Sequence, residues 1–262
     1  MRIRATALAI APILCAQTQI PAPDAAEQQA IIARMKEAAA TYNDRLQDFL
    51  ATQTMTRSTA STGAKPRWKV LETQESELSY VGHKVNSKLL KVNGKTTDLD
   101  KQVKRGYFIF SGEFGALQWV FNPKTIPEFE WDHGEVSEGK RLCVFRYRTP
   151  EANTNFVFYS DGDKTPAGHH GLVLADCDTG MAVRFHLETD PAAVRRRGRD
   201  VPLGYELDVR YAPATIAGQE FLLPQVAEET SLFNTRLTKA EVRFQQYRKY
   251  DTNSTITFDD RQ

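Results

Sequence analysis

Strict alternation of apolar and polar residues in two segments is the feature of this sequence that most limits its possible folds. Residues 181–188 read MAVRFHLE and residues 204–211 read GYELDVRY. A period of two places the apolar side chains on one face of a β-strand and the polar ones on the other. Such strands are typical of an antiparallel sheet with one face packed and the other in water.

Turn residues separate further runs of this kind, and one predicted hairpin turns at Asp178-Thr179-Gly180. We predict about eleven strands, near 46–58, 67–80, 83–92, 127–136, 139–149, 154–161, 169–177, 180–189, 202–213, 219–231 and 236–250. Because no regular βαβ alternation is present, the pattern predicts a mainly β fold. We expect an antiparallel, unclosed β-barrel or a strongly curved sheet.

Two segments have helical periodicity instead. The predicted helix over residues 24–44 begins with Asp24 as its N-cap residue. It carries an apolar stripe from Ile32 to Tyr42. A shorter helix is predicted at 112–121, where Asn122-Pro123 ends it. We expect both helices to cover the concave side or the open mouth of the sheet.

The first sixteen residues have the order of a secretory signal peptide. Two early arginines precede an apolar run, Ala5–Leu14, which is too short to span a bilayer permanently. Leu14 is larger than the residue that lipidation requires before a cysteine, so we expect no lipid anchor at Cys15. The sequence therefore predicts export, most simply to the periplasm. We expect the rest of the chain, residues 17–262, to form a single domain.

Composition excludes some functional classes. The chain has 34 basic and 33 acidic residues, 41% hydrophobic residues and no later apolar run of transmembrane length. This balance gives no support to nucleic-acid binding, which needs a concentrated basic surface. Cys143 and Cys177 fall in strands that the sequence does not show to be neighbours. We therefore expect them to be unpaired, with a disulfide as the alternative that an oxidising compartment would permit.

Two segments carry a family resemblance. Leu46–Arg57 (LQDFLATQTMTR), which follows a helix, and Tyr205–Pro224 (YELDVRYAPATIAGQEFLLP) resemble parts of the periplasmic outer-membrane lipoprotein carrier group (LolA/LolB/RseB-like). The resemblance implies an unclosed barrel of about eleven strands, with helices over an apolar cavity that holds acyl chains. The chain is also similar to a set of uncharacterised secreted bacterial proteins, through segments such as Gly168–Leu174. Neither resemblance carries ligand residues over to this chain.

Few residues point to catalysis or metal binding. His169 and His170 point to opposite faces if they lie on a strand, so we interpret them as ordinary surface histidines and expect no metal site. Glu128 and Glu130 share one face of a strand and could in principle approach a glycosidic bond, but we interpret them as part of a solvated strand face. We therefore expect a non-enzymatic protein without a cofactor, and a hydrolase is the last of three alternatives.

Aromatic residues are concentrated in the strands and in the short helix. We predict that Trp119, Phe121, Met35 and Phe185 line a cavity or its lid. The leading hypothesis is an envelope protein that binds or carries a lipid or another apolar ligand in a concave cavity. The alternative is a protein-interaction or stress-sensing module of the envelope with a filled core.

The basic cluster within AAVRRRGRD is predicted to be a mobile loop over residues 192–200. Arg195, Arg196, Arg197 and Arg199 could contact anionic lipid headgroups or an acidic partner.

Overall fold

A computed structural model describes residues 19–97, 114–160, 163–196 and 198–251. The two helices in these ranges are α1, Ala25–Arg45, and α2, Gln118–Phe121. The strands are β1 Gln19–Ile20, β2 Phe49–Ser61, β3 Lys69–Val81, β4 Lys84–Val92, β5 Lys95–Thr96, β6 Glu128–Ser137, β7 Lys140–Thr149, β8 Val157–Ser160, β9 Asp163–Pro166, β10 His169–Asp176, β11 Ala182–Thr189, β12 Ala192–Arg196, β13 Arg199–Ile216, β14 Gln219–Phe233 and β15 Arg236–Lys249.

Most strands belong to one antiparallel sheet with the order β1-β6-β7-β10-β11-β13-β14-β15-β2-β3-β4-β5. β12 pairs with the first residues of β13 outside this order, and β8 and β9 form a separate two-stranded sheet. Within the described residues the two outer strands, β1 and β5, do not pair with each other, so the sheet is unclosed. The predicted mainly β, unclosed fold is therefore confirmed. All eleven predicted strands are present, and the short strands β1, β5, β9 and β12 are additional.

Register across the sheet explains why the alternation is so regular. Val209, Ala227, Val242 and Met55 occupy neighbouring positions on four consecutive strands, and all are buried. The next row, which includes Asp208, Glu228 and Glu241, is charged and lies on the opposite face. The sheet therefore has an apolar inner face and a charged outer face, because one polarity recurs at the same register on adjacent strands.

The helix α1 covers part of the inner face. The Glu27 backbone N–H donates to Asp24 Oδ1 at 2.8 Å, which confirms the predicted N-cap. Ile31, Met35 and Tyr42 on its apolar stripe are buried. Neither α1 nor any other helix in the described ranges combines the length and apolarity needed to cross a bilayer.

The turn between β10 and β11 packs directly against α1. Gly180 has φ +73°, and a Cβ added there would lie 2.4 Å from the carbonyl carbon of Arg34. The Arg34 Nε–H donates to the Cys177 carbonyl at 3.1 Å in the same region. Glycine is therefore required by both the backbone conformation and the close approach of the helix.

A disulfide joins Cys143 to Cys177, with 5.3 Å between the Cα atoms. The expectation that these cysteines are unpaired is therefore wrong, and the alternative holds. Cys143 lies on β7 opposite Ala175 of β10, and Cys177 follows the end of β10. The two strands are neighbours because the β8-β9 ribbon leaves the main sheet between them, which turn spacing does not reveal.

The basic segment is also more ordered than predicted. Residues 192–196 form β12, in which Ala192 pairs with Leu203 and Val194 with Val201. Val194 is buried, so this hairpin is anchored by apolar packing, and the prediction of a mobile loop is wrong. The helix α2 begins at Gln118, six residues later than the predicted start at residue 112, and residues 112–113 lie outside the described residues.

Candidate functional site

An apolar groove lies between the C-terminal half of α1 and the hairpin that joins β13 to β14. Its volume is about 450 Å³. It is lined by Tyr42, Arg45, Leu46, Met181, Gln219, Glu220, Phe221 and Leu222. A second depression of about 230 Å³ shares Met181, Phe221 and Leu222 with this α1 groove. The apolar lining side chains are buried or half-buried, whereas Arg45, Gln219 and Glu220 are exposed.

Hydrogen bonds hold the two walls of the α1 groove together. The Tyr42 hydroxyl donates to the Leu222 carbonyl at 3.0 Å, and the Gln47 side-chain amide donates to Gln219 Oε1 at 2.7 Å. Burial is the main reason that the pKa of Tyr42 lies well above its usual value, so the hydroxyl keeps its proton and remains a donor. The groove is thus defined by contacts between elements about 180 residues apart.

Two of the predicted cavity residues lie beneath this groove. Met35 and Phe121 line a small space of about 10 Å³ under α1, and Tyr42 and Met181 line both this space and the groove. Phe121 also stacks on Phe129, with ring centroids 5.8 Å apart. In the described residues this inner space is too small for a ligand, so a ligand could enter it only if α1 moved.

The other two predicted cavity residues pack among aromatic side chains. The Trp119 ring contacts Phe156 and Tyr205, with centroids 5.3 and 5.8 Å away. Phe185 is fully buried and stacks on Tyr147 at 6.0 Å. The structure therefore places Trp119 and Phe185 in packed core contacts away from the residues that line the α1 groove.

The predicted contact arginines lie at the tip of the β12-β13 hairpin. The guanidinium of Arg195 pairs with Asp200 at 2.9 Å, and that of Arg196 lies 5.1 Å from the ring centroid of Phe233. Arg199 pairs with Arg196 in the strand register and is exposed. Arg197 lies outside the described residues. These arginines lie near the start of β13, whereas the α1 groove lies near its other end, at Ile216.

His169 is fully buried, which corrects its interpretation as a surface histidine. The rings of Tyr147 and Phe156 pack around it. Burial lowers the pKa of His169 to about 4, although the Asp190 carboxylate acts in the opposite direction. His170 is exposed on the other face, 3.3 Å from Asp190. No cluster of metal-ligating side chains is present among the described residues.

Glu229 is a second buried titratable group, and no local sequence pattern marks it as buried. Its carboxylate is on the inner face of β14, 7% exposed, and its Oε2 has no hydrogen-bond partner in the described structure. Burial raises its pKa to about 7, and the guanidinium of Arg57 offsets only part of this effect. Arg57 itself pairs with Glu72 at 2.8 Å.

We expect the difference in the free energy of unfolding between the Glu229→Gln variant and the unchanged protein to shift in favour of the variant as the pH rises. The folded protein keeps a proton on Glu229 between the ordinary pKa of 4.5 and about 7, whereas the unfolded chain releases it. The contribution of Glu229 to stability is therefore lost as the pH rises through this window. The free energy of unfolding of the variant should gain about 3 kcal/mol relative to the unchanged protein between pH 4.5 and 8.

Urea unfolding at both pH values measures this difference. The matched control is Glu206→Gln, an exposed glutamate on the adjacent strand β13. A pH dependence as large in the control as in Glu229→Gln would contradict the assignment.

The groove residues themselves were only partly visible in the sequence. The sequence places Tyr42 on the apolar stripe of the first helix and Phe221 within the predicted strand 219–231. Met181 was predicted to be an ordinary inward-facing strand residue. Local polarity patterns do not show that Tyr42, Met181 and Phe221 line one groove, because these residues are far apart in the sequence.

Comparisons with known proteins find solved structures that are similar to this chain at low identity and low TM-score. No protein-family profile and no curated protein sequence matches it. One similar structure is a domain assigned as an outer membrane lipoprotein-sorting protein from Vibrio parahaemolyticus, with 10% identity, 84% of this chain and 94% of that chain covered, and a TM-score of 0.31.

Two further structures show a similar degree of overlap. A DUF1329 family protein from Desulfovibrio piger has 10% identity, coverage of 86% and 95%, and a TM-score of 0.33. A LolA superfamily protein from Nitrosomonas europaea has 9% identity, coverage of 85% and 93%, and a TM-score of 0.28. These include the group that the sequence resembles. Likeness at this level leaves the function to be argued from the residues of this chain.

Proposed function

We propose that this chain is a non-enzymatic, exported bacterial envelope protein that binds a lipid or another apolar ligand in the α1 groove. The observation that carries the proposal is the groove itself, which combines buried or half-buried apolar lining residues with exposed polar ones and has a volume of about 450 Å³. The signal-like first sixteen residues support export. The disulfide between Cys143 and Cys177 supports an oxidising compartment.

Binding would be driven by removal of apolar surface from water. An acyl chain that buries about 200 Å² of apolar area would gain about 5 kcal/mol before the cost of association is subtracted. Leu46, Phe221 and Leu222 supply apolar lining, while Arg45 and Glu220 are exposed lining residues. A polar headgroup could therefore stay in water beside charged side chains.

The helix α1 acts as a lid in this proposal. Tyr42 and Met181 lie between the groove and the small space that Met35 and Phe121 line. Displacement of α1 would break the bond from Tyr42 to the Leu222 carbonyl and join the two spaces. A longer chain could then extend from the groove toward the core.

Protein purified under native conditions and extracted with organic solvent should release a defined lipid, and it should bind a fluorescent fatty acid. Met181→Trp places an indole in the groove and should weaken that binding by at least about tenfold, because the larger side chain occupies space that the ligand would otherwise fill and so reduces the apolar area that the ligand can bury. The measurement is a fluorescence titration, with the unfolding temperature recorded for each variant.

The matched control is Val136→Trp, which adds the same side chain at an exposed position on β6. This variant should bind the fatty acid as the unchanged protein does. A lipid-free extract together with no fatty-acid binding by the unchanged protein would overturn the proposal.

A protein-interaction or sensing module is the second candidate, and the packed inner face favours it. Phe145, Phe185 and Phe244 are buried in the sheet, and the space under α1 is only about 10 Å³. A lipid-free extract combined with a stable co-purifying envelope protein would support this candidate over ligand binding.

A further inference from the structure

Three hairpin ends meet at the end of the sheet that is opposite the α1 groove. The described residues at these ends are 62–71, 195–196, 198–200 and 233–236, which we call the basic rim. Phe233 lies opposite both Leu203 and Arg236 in the register, and Arg236 lies opposite Ser61. The Thr62 N–H donates to the Thr235 carbonyl at 3.0 Å. Segments that are distant in the sequence therefore form one continuous edge.

Positive charge is concentrated on the basic rim. The described basic residues are Lys65, Arg67, Lys69, Arg195, Arg196, Arg199 and Arg236. Among the described rim residues, Asp200 is the acidic one, and it already pairs with Arg195. This local excess contrasts with a chain whose overall charge is +1. The rim thus carries the concentrated basic surface that the overall composition does not indicate.

Exposed apolar side chains are concentrated at the same place. Trp68, Val70, Leu71 and Phe233 are 42%, 59%, 44% and 46% exposed. They make up four of the seven large hydrophobic residues that are exposed in the described structure. Large apolar side chains that cluster in water mark an interaction surface.

We propose that the basic rim docks on the surface of a membrane that contains anionic phospholipids. Lys and Arg side chains are attracted to an anionic leaflet, and each near the surface strengthens binding about fivefold. Trp68, Val70 and Leu71 supply the apolar side chains that enter the headgroup region, where tryptophan is favoured. Charge alone would also suit a nucleic acid or an acidic protein, but the aliphatic residues beside the arginines favour a lipid surface.

This docking is independent of the proposed ligand site. Leu203, at the rim, and Ile216, near the groove, are thirteen positions apart on the single strand β13, which is roughly 40 Å of extended chain. A protein docked through its rim would therefore keep the α1 groove on the aqueous side.

Sedimentation with phospholipid vesicles tests the proposal. The purified exported protein should bind vesicles of equal parts phosphatidylcholine and phosphatidylglycerol, and high salt should weaken this binding. Vesicles of phosphatidylcholine alone should bind far less. The triple variant Arg67→Glu, Lys69→Glu, Arg199→Glu should lower the partition coefficient on the anionic vesicles by more than about 100-fold.

A matched control has the same net charge. Lys36→Glu, Lys84→Glu, Lys88→Glu reverses three exposed lysines on α1 and β4, away from the rim, and should leave binding within a few-fold of the unchanged protein. Trp68→Ser should weaken binding by about tenfold while the salt dependence remains, because it removes only an apolar anchor.

Three results would overturn the proposal. They are no binding to the anionic vesicles, equal losses in the rim and control variants, or binding to heparin or an acidic polypeptide without binding to vesicles. Fatty-acid titration of the rim variant separates this proposal from the ligand site, because rim substitutions should leave the α1 groove unchanged.

Discussion

Replacement of Gly171 by alanine is expected to destabilise the protein by about 3 kcal/mol or more. A Cβ at this position would lie 2.0 Å from the carbonyl oxygen of His186 and 2.8 Å from its carbonyl carbon. These are backbone atoms of the paired strand β11, so they can move only if the ladder between β10 and β11 is distorted. The Tyr147 hydroxyl also donates to the same carbonyl, at 3.2 Å.

Gly204→Ala is the matched control for this prediction. It also lies in a strand of the sheet, but its added Cβ would meet the Leu232 Cβ at 3.4 Å, an ordinary contact. We expect this variant to change the free energy of unfolding by less than about 1 kcal/mol. Urea unfolding of both variants provides the comparison, and equal stability of Gly171→Ala and the unchanged protein would contradict the predicted backbone clash.

Loss of the disulfide is the second change with a large expected effect. The double variant Cys143→Ser, Cys177→Ser should lower the free energy of unfolding by about 3 to 4 kcal/mol, because the bridge closes a loop across a sequence separation of 34 residues in the unfolded chain. The bridge also fixes the end of β10 near the turn at Gly180, on which α1 packs. The loss should therefore reach the helix that covers the inner face.

Reduction provides an internal control for the double variant. A thiol reductant should destabilise the unchanged protein by a similar amount and should leave the double variant unaffected. Unfolding curves with and without reductant test both statements. If the oxidised protein and the double variant are equally stable, the bridge does not stabilise the fold.

His169 and Glu229 should make opposite contributions to the pH dependence of the free energy of unfolding, so these contributions should partly cancel in the unchanged protein. The lowered pKa of His169 makes its contribution to stability fall as the pH drops from 6.5 toward about 4. The raised pKa of Glu229 makes its contribution fall as the pH rises from 4.5 toward about 7. These effects overlap between pH 4.5 and 6.5, so a substitution at either residue is needed to reveal the other.

Local patterns predicted the strands and the first helix because their causes are local. Alternation in 181–188 and 204–211 depends on the period of the strand, and Asp24 caps α1 through a bond to an N–H three residues later. The predicted strands therefore agree with the observed ones within a few residues. The basic segment was mispredicted because a run of arginines masked the apolar anchor Val194.

The sequence by itself determined which faces of the strands are apolar, where the chain turns and which segments are helical. Only the tertiary structure decided that β7 neighbours β10, that Cys143 reaches Cys177 and that His169 is buried. It also decided that α1 meets the hairpin after Ile216 to form the groove, and that three hairpin ends combine into the basic rim. The physical reason is that polarity patterns report which face of an element is buried, whereas the identity of the neighbouring element depends on contacts between segments far apart in the chain.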